Sequence, residues 1–267
     1  MRRIECVIMD WAGTSVDYGC FAPVAAFLES FAEIGMPVDE SSVRAHMGLT
    51  KIEEVRALFR IPAVSQAFRL KYGRDFNEED VQSRYEAFQK VLFSTLEKYS
   101  EPIPGVVETV SALRSQGIKF GSTTGYTAKM MEVVRPAAAV KGYVIDDCVT
   151  SDCLPAGRPF PYMIYRNMCD LAIPSRFSVL KFGDTIVDIR EGVNAGVWSV
   201  GVILGSNELA LTQKDVESLP EPELKRRMLE VRNRMYAAGA DYVLDSIGEL
   251  PALIESINQR MDQQGIR

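Results

Sequence analysis

Short apolar runs separated by longer amphipathic stretches set the rhythm of this chain. Residues 4–9 (IECVIM) are mostly apolar and stop at a polar turn, as a strand buried on both faces does. Similar runs occupy residues 118–122, 179–182, 198–202 and 242–244, each reached through a helical or loop stretch suited to a crossover. Repeated strand–helix units predict an α/β fold with a mainly parallel sheet and helices on both faces. Functional groups should then gather at the carboxyl ends of its strands.

Between about 18 and 101 the rhythm changes. Helical segments at 21–34, 41–47, 51–59, 64–72 and 78–96 follow one another with no convincing strand between them. In the last of these, Val81, Tyr85, Phe88, Val91, Leu92 and Leu96 recur at helical spacing. The expected organisation is a core built from residues 1–17 and 102–267, with 18–101 inserted as an all-helical cap. The chain returns through Pro102-Ile103-Pro104-Gly105, a rigid turn into a helix over 106–116 that ends at Gly117. Patterning alone leaves one continuous domain as the alternative.

Composition narrows the partners. A chain of 267 residues can bury a sizeable core, and 47% apolar with 25% charged residues leaves no disordered tract. A net charge of -6 and a pI near 5.1 argue against nucleic acid or an anionic membrane, although a local basic pocket can still hold a small anion. Cys6, Cys20, Cys148, Cys153 and Cys169 form no zinc-binding spacing with the single histidine, His46, so structural thiols are expected. The odd cysteine count, no signal peptide and no apolar run approaching 18 residues predict a cytoplasmic protein.

Four strand ends carry candidate chemistry. Asp10 follows the first strand and precedes a Gly-Thr turn whose N–H groups can surround a phosphoryl group while the carboxylate attacks phosphorus. Two residues on stands Ala12, so no second carboxyl is at hand to protonate a leaving group. The segment Ser122-Thr123-Thr124-Gly125-Tyr126 offers hydroxyl and backbone donors, and Gly157-Arg158-Pro159 offers a cation for an anionic group. Asp184 and Asp188, in the stretch FGDTIVD, can join Asp10 around Mg2+, a hard cation that takes carboxylate and carbonyl oxygens. Asp188 could instead only cap the helix that follows it.

This order of motifs resembles the haloacid dehalogenase superfamily over essentially the whole chain. DWAGT, HMGLTK, STTGYT, AGRP, GDTIVD and VGVILGSNELALT together look like its phosphonatase (phosphonoacetaldehyde hydrolase) family. The resemblance implies a Rossmann-like core with a helical cap, Mg2+ as cofactor, and hydrolysis of the P–C bond of phosphonoacetaldehyde to acetaldehyde and phosphate. It makes Asp10 the nucleophile and Lys51 the amine that forms a Schiff base with the substrate. Mg2+ falls to the Asp10 carboxylate, the Ala12 carbonyl and Asp184, with Asp188 behind them. Thr124, Gly125 and Arg158 would hold the phosphonate oxygens, and Met47 would pack near the amine. A homodimer through the cap is implied as well. The lysine has a chemical rationale of its own, because P–C cleavage needs an electron sink and a protonated imine provides one.

The chain departs from the family pattern at one place. Three residues after the lysine the family has a histidine for proton transfer, and here stands Glu54. Lys51 and Glu54 can share one side of a helix, so the carboxylate can take protons in its place. His46, just before Met47, is expected to pack or hydrogen-bond locally. The alternatives are hydrolysis of a related carbonyl phosphonate or of a phosphate ester, and phosphonate binding without turnover.

Overall fold

Six strands, β1 (Cys6–Met9), β2 (Lys119–Thr124), β3 (Val149–Thr150), β4 (Val179–Gly183), β5 (Trp198–Val202) and β6 (Tyr242–Leu244), form one sheet in the order β3-β2-β1-β4-β5-β6. Every neighbouring pair is parallel. The structure is a computed structural model that describes residues 3–264. Because β1 lies between β2 and β4, the strand order reverses at its flank, and a crevice opens beyond the carboxyl ends of these three strands. Met9 is in register with both Ser122 and Phe182, so Asp10, Thr124 and Asp184 emerge at one edge.

Alternation along the strands sends side chains to two cores. Val7, Met9, Leu180 and Phe182 join the larger cluster, while Cys6, Ile8 and Val179 join a smaller one on the other face. Lys181, in the same alternation as Val179, is buried as well. The faces are covered by α6 (Val106–Ser115), α7 (Ala128–Val140), α8 (Tyr162–Asp170), α9 (Ile186–Ala195), α11 (Glu221–Ala237) and α12 (Leu250–Gln264), with the short α10 (Gln213–Ser218) before α11. Among the described residues no helix is long and apolar enough to cross a membrane.

Five helices intervene between β1 and α6: α1 (Phe21–Glu33), α2 (Glu40–Arg44), α3 (Lys51–Phe59), α4 (Pro62–Tyr72) and α5 (Glu78–Phe93). They form a helical cap rich in aromatic contacts, with Phe27 of α1 stacked on Phe88 of α5 at 4.0 Å and Phe31 packed on Phe59 at 5.1 Å, and these rings continue the larger cluster of the sheet. Local signals explain the helix ends. Asn77 and Asp80 make a capping box ahead of an acidic first turn in α5, and α4 starts on Pro62 and stops at Gly73 with φ 70°. The chain leaves and re-enters the core side by side: Val16 bridges Pro102, Asp17 N–H donates to the Glu101 carbonyl at 3.3 Å, and Ile103 N–H donates to the Ser15 carbonyl at 2.9 Å.

Several boundaries differ from the sequence expectation. The first strand begins at Cys6 rather than residue 4, and α4 begins two residues early, because proline suits a helix's first turn. The helix expected over 41–47 stops at Arg44, and the rest becomes a loop in which Gly48 adopts φ +96°. The last cap helix ends at Phe93 rather than 96, closing in turns. Strand β3 was not expected at all, since two edge residues carry no periodic signal.

Candidate active site

Asp10 sits one residue beyond β1, and its N–H still donates to the Phe182 carbonyl at 3.0 Å, so the strand pairing itself fixes the backbone. The next turn is tight: N–H groups of Ser15 and Val16 converge on the Trp11 carbonyl at 2.7 and 2.9 Å. Gly13 makes that turn possible at φ +88°, and a Cβ there would lie 2.2 Å from Asp184 Oδ2. Only glycine lets the turn after Asp10 rest against Asp184.

Asp184 is fully buried. Its Oδ1 accepts from Thr14 Oγ1 at 2.7 Å and its Oδ2 from Asn207 N–H at 2.8 Å, which leaves acceptor capacity on both oxygens. Asp10, Asp184 and Asp188 present ligand oxygens all within 4.8 Å of one another. Burial, then the neighbouring Asp10 and Asp188 charges, push the Asp184 carboxyl well above its ordinary pKa. A crowded all-oxygen donor set, in which Asp184 has no cationic partner among the described residues, suits a hard divalent cation such as Mg2+.

Asp188 caps the helix that follows it and also lies in the acid cluster. Its Oδ2 accepts from Thr185 Oγ1 at 2.6 Å in the capping box of α9, while its Oδ1 accepts from Lys181 Nζ at 2.7 Å and pairs with Arg158 Nη1 at 3.0 Å. Burial would raise its pKa, but Arg158 and Lys181 outweigh burial and hold it below the ordinary value. Both of its oxygens are therefore engaged by protein donors.

Arg158 is no exposed loop arginine. It is buried, and its Nη2 donates to Asp10 Oδ1 at 2.6 Å and to Thr123 Oγ1 at 2.8 Å, while Nε donates to Glu191 Oε2 at 3.0 Å. Thr124 ends the adjacent strand and Gly125 follows it, and Thr124 Oγ1 accepts from Tyr126 N–H at 3.1 Å.

The cap contributes a second polar centre. Lys51 opens α3, and its Nζ lies 2.9 Å from both Glu54 oxygens and 3.8 Å from Met47 Sδ, facing the Tyr126 ring of the core at 5.5 Å. Gly48 N–H also donates to Glu54 Oε1 at 3.1 Å. Burial pushes the Glu54 carboxyl up to about 7, against the opposing pull of Lys51, the Gly48 N–H and Arg158. His46 is half-buried in the preceding turn, and burial lowers its pKa. Lys51 takes Glu54 as its ionic partner instead.

Glycines seat this cap loop on the core. A Cβ at Gly125 would lie 2.3 Å from the Leu49 carbonyl, one at Gly157 2.4 Å from Thr50 Cγ2, and one at Gly48 2.6 Å from Thr185 Oγ1. Glycine backbone thus meets a facing backbone at Gly125 and threonine side chains at Gly157 and Gly48, and the Lys51–Glu54 pair is held near enough to the core for Arg158 to influence Glu54.

The sequence comparison agrees with this geometry. A model of the haloacid dehalogenase-like hydrolases matches residues 4–196. Over 262 residues the chain is 55% identical to a phosphonoacetaldehyde hydrolase of Bacteroides fragilis, covering 98% of this chain and 100% of that one. It belongs to the phosphonoacetaldehyde hydrolase family of haloacid dehalogenase-like hydrolases. A second family member, from Parabacteroides distasonis, is 56% identical over 261 residues, covering 97% of this chain and 99% of its own. A crystal structure of a phosphonoacetaldehyde hydrolase-like protein from Oleispira antarctica superposes with a TM-score of 0.95 at 34% identity, covering 98% of this chain and 95% of that one.

Several site residues escaped the sequence expectation: Thr14, Lys181, Glu191, Asn207 and Arg44, while Thr123 entered only as part of its donor segment. Lys181 had a signal, a charge in the middle of the otherwise apolar strand VLKFG. Glu191 follows Asp188 by three residues and so shares its helix face. Arg44 had none, and Asn207 entered only within the run VGVILGSNELALT. They tie cap to core through Arg44 Nη1 to Asn207 Oδ1 at 3.1 Å and Asn207 Nδ2 to the Arg44 carbonyl at 3.2 Å.

Proposed function

We propose that this protein hydrolyses phosphonoacetaldehyde at its P–C bond, giving acetaldehyde and phosphate with Mg2+ as cofactor. The observation that carries this is the buried Lys51–Glu54 pair, seated by close backbone contact over the cleft that holds Asp10. The Lys51 amine adds to the aldehyde and loses water to form an imine. Asp10 Oδ attacks phosphorus, and the P–C electron pair flows into the protonated imine to leave an enamine on Lys51. Water then frees phosphate from Asp10, and protonation of the enamine carbon followed by imine hydrolysis frees acetaldehyde. One water is consumed overall.

Glu54 takes and returns protons at Lys51, a task suited to a carboxyl poised near neutral pH. Arg158, Thr124 and Gly125 bind the phosphonate oxygens, and Met47 packs beside the amine. Mg2+, held by Asp10, the Ala12 carbonyl and Asp184 with Asp188 behind, supplies charge neutralisation between nucleophile and substrate. Ala12 fits this scheme, since a carbon leaving as an enamine needs no acid at that position, whereas an alkoxide leaving a phosphate ester does. The same proposal treats residues 18–101 as a cap domain on a core of 1–17 and 102–267, supported by the paired entry and exit of the chain. A homodimer through the cap and a cytoplasmic location rest on family likeness and on composition.

The test mixes purified protein, phosphonoacetaldehyde and Mg2+, follows both products, and traps the imine with borohydride for peptide mass analysis. Equimolar acetaldehyde and phosphate with an adduct on Lys51 is expected. Hydrolysis of phosphate monoesters in preference to the phosphonate, or turnover without an adduct, overturns it. The two-oxygen grip of Glu54 on Lys51 also suits phosphonate binding without turnover, which ligand-induced stabilisation with no product would reveal.

A further inference from the structure

Behind the acid cluster lies a buried ionic layer with no assigned part in the reaction. Glu191 is fully buried on α9, and its Oε2 accepts from Thr123 Oγ1 at 2.9 Å and Arg158 Nε at 3.0 Å, with Lys181 Nζ at 3.5 Å. Its Oε1 is buried with no partner among the described residues. Lys181, equally buried, bridges from Glu191 to Asp188. Close packing of helix on strand makes the layer possible. A Cβ at Gly183 would lie 2.4 Å from Asp188 Cγ, and one at Gly192 would lie 3.2 Å from Lys181 Cβ.

Stability alone is a poor reason for such an arrangement, because a desolvated charge network is often no better than apolar packing and an orphan carboxylate oxygen is unfavourable. Its geometry supplies a better one. Arg158 presents three faces: Nε to Glu191, Nη1 to Asp188, and Nη2 to Asp10 and Thr123. When an anion reaches Asp10, Nη2 must turn part of its bonding toward the incoming oxygens. An arginine held only through its two Nη atoms would then rely on the Asp188 contact at Nη1 and could pivot about it. Anchored at Nε by a carboxylate that is itself fixed by Lys181 and Thr123, the planar fork stays where it is.

We propose that Glu191, backed by Lys181, is a positioning residue that fixes the Arg158 guanidinium for phosphonate capture. This rests on the assignment of Arg158 to the phosphonate oxygens made above. The test is a double-mutant cycle read by orthophosphate binding to the Mg2+-loaded protein in titration calorimetry. E191Q keeps the side chain's size and removes its charge, while R158K keeps a cation and removes Nε. E191Q is expected to weaken orthophosphate binding about tenfold in the wild-type background and by less than about twofold with R158K. Equal losses in both backgrounds, or no loss in the first, overturn the proposal. A merely structural Glu191 would lower the thermal midpoint in both backgrounds and leave the affinities uncoupled.

Should E191Q fail to fold, T123V removes the hydroxyl shared by Arg158 and Glu191. It is held to the same criterion, a loss that R158K abolishes. Orthophosphate binding needs no P–C cleavage, so the cycle still reads Arg158 positioning in a protein that fails the turnover assay. A wild type that binds no orthophosphate overturns both this proposal and the assignment of Arg158.

Discussion

Replacing Glu54 with Gln isolates the acid/base part of the lysine chemistry. The carboxyl is fully buried, and its pKa stands at about 7 against an ordinary 4.5, so ionising it inside the fold costs about 3 kcal/mol relative to the unfolded chain. A folded pKa above the unfolded one means the folded state binds more protons between these values. Glu54 thus contributes stability in full below about pH 4.5, loses it as pH rises towards 7, and contributes no further change above that. Glu54→Gln should flatten this part of the stability curve, read by urea denaturation at pH 5, 6, 7 and 8. At neutral pH the gain from removing a strained carboxylate is opposed by about 3–5 kcal/mol for leaving the Lys51 ammonium without its buried partner, so the pH slope is the diagnostic quantity rather than the midpoint at one pH. Turnover should fall by about 10²–10⁴-fold, the usual worth of a positioned acid/base. A variant that keeps kcat within about threefold of wild type, or that keeps the slope, would refute the role given to Glu54.

Two further expectations follow from the cluster and the cap contact. Burial and its acidic neighbours raise the Asp184 pKa, so holding it ionised costs stability that a bound cation restores. Mg2+ should therefore raise the thermal midpoint more at pH 8 than at pH 5, EDTA should reverse the gain, and Asp184→Asn should weaken Mg2+ binding at least about tenfold in calorimetry. Gly125→Ala would drive a methyl to 2.3 Å from the Leu49 carbonyl. Relieving that overlap by lifting the cap loop costs about 1–3 kcal/mol, a drop of about 5- to 150-fold in kcat/KM with little change in Mg2+ affinity.

What could be read from the sequence was whatever local spacing encodes. Asp10 and Asp184 were visible because each ends an apolar run at a polar turn, and strand pairing then delivers both to one edge. Lys51 and Glu54 meet because three residues make nearly one helical turn. Lys181 and Glu191 were not visible as partners, since their meeting depends on how closely α9 packs on β4, which Gly183 and Gly192 permit. Gly48, Gly125 and Gly157 look like ordinary turn residues until cap and core are in contact. The link from Arg44 to Asn207 spans 163 positions and is set by tertiary docking alone.

The bridge between Val16 and Pro102 also bears on how such a chain can change over generations. Because the insertion begins and ends on neighbouring backbones, lengthening or exchanging it leaves the separation of its two attachment points untouched. Closure entropy grows only by about 0.6 kcal/mol for each doubling of a flexible loop, and here the ends are already fastened together. The six-stranded sheet takes no strand from the segment between these two points. A short hairpin turn from Asp17 to Glu101 would close the core, and a different helical cassette there would present new chemistry to the same carboxylates.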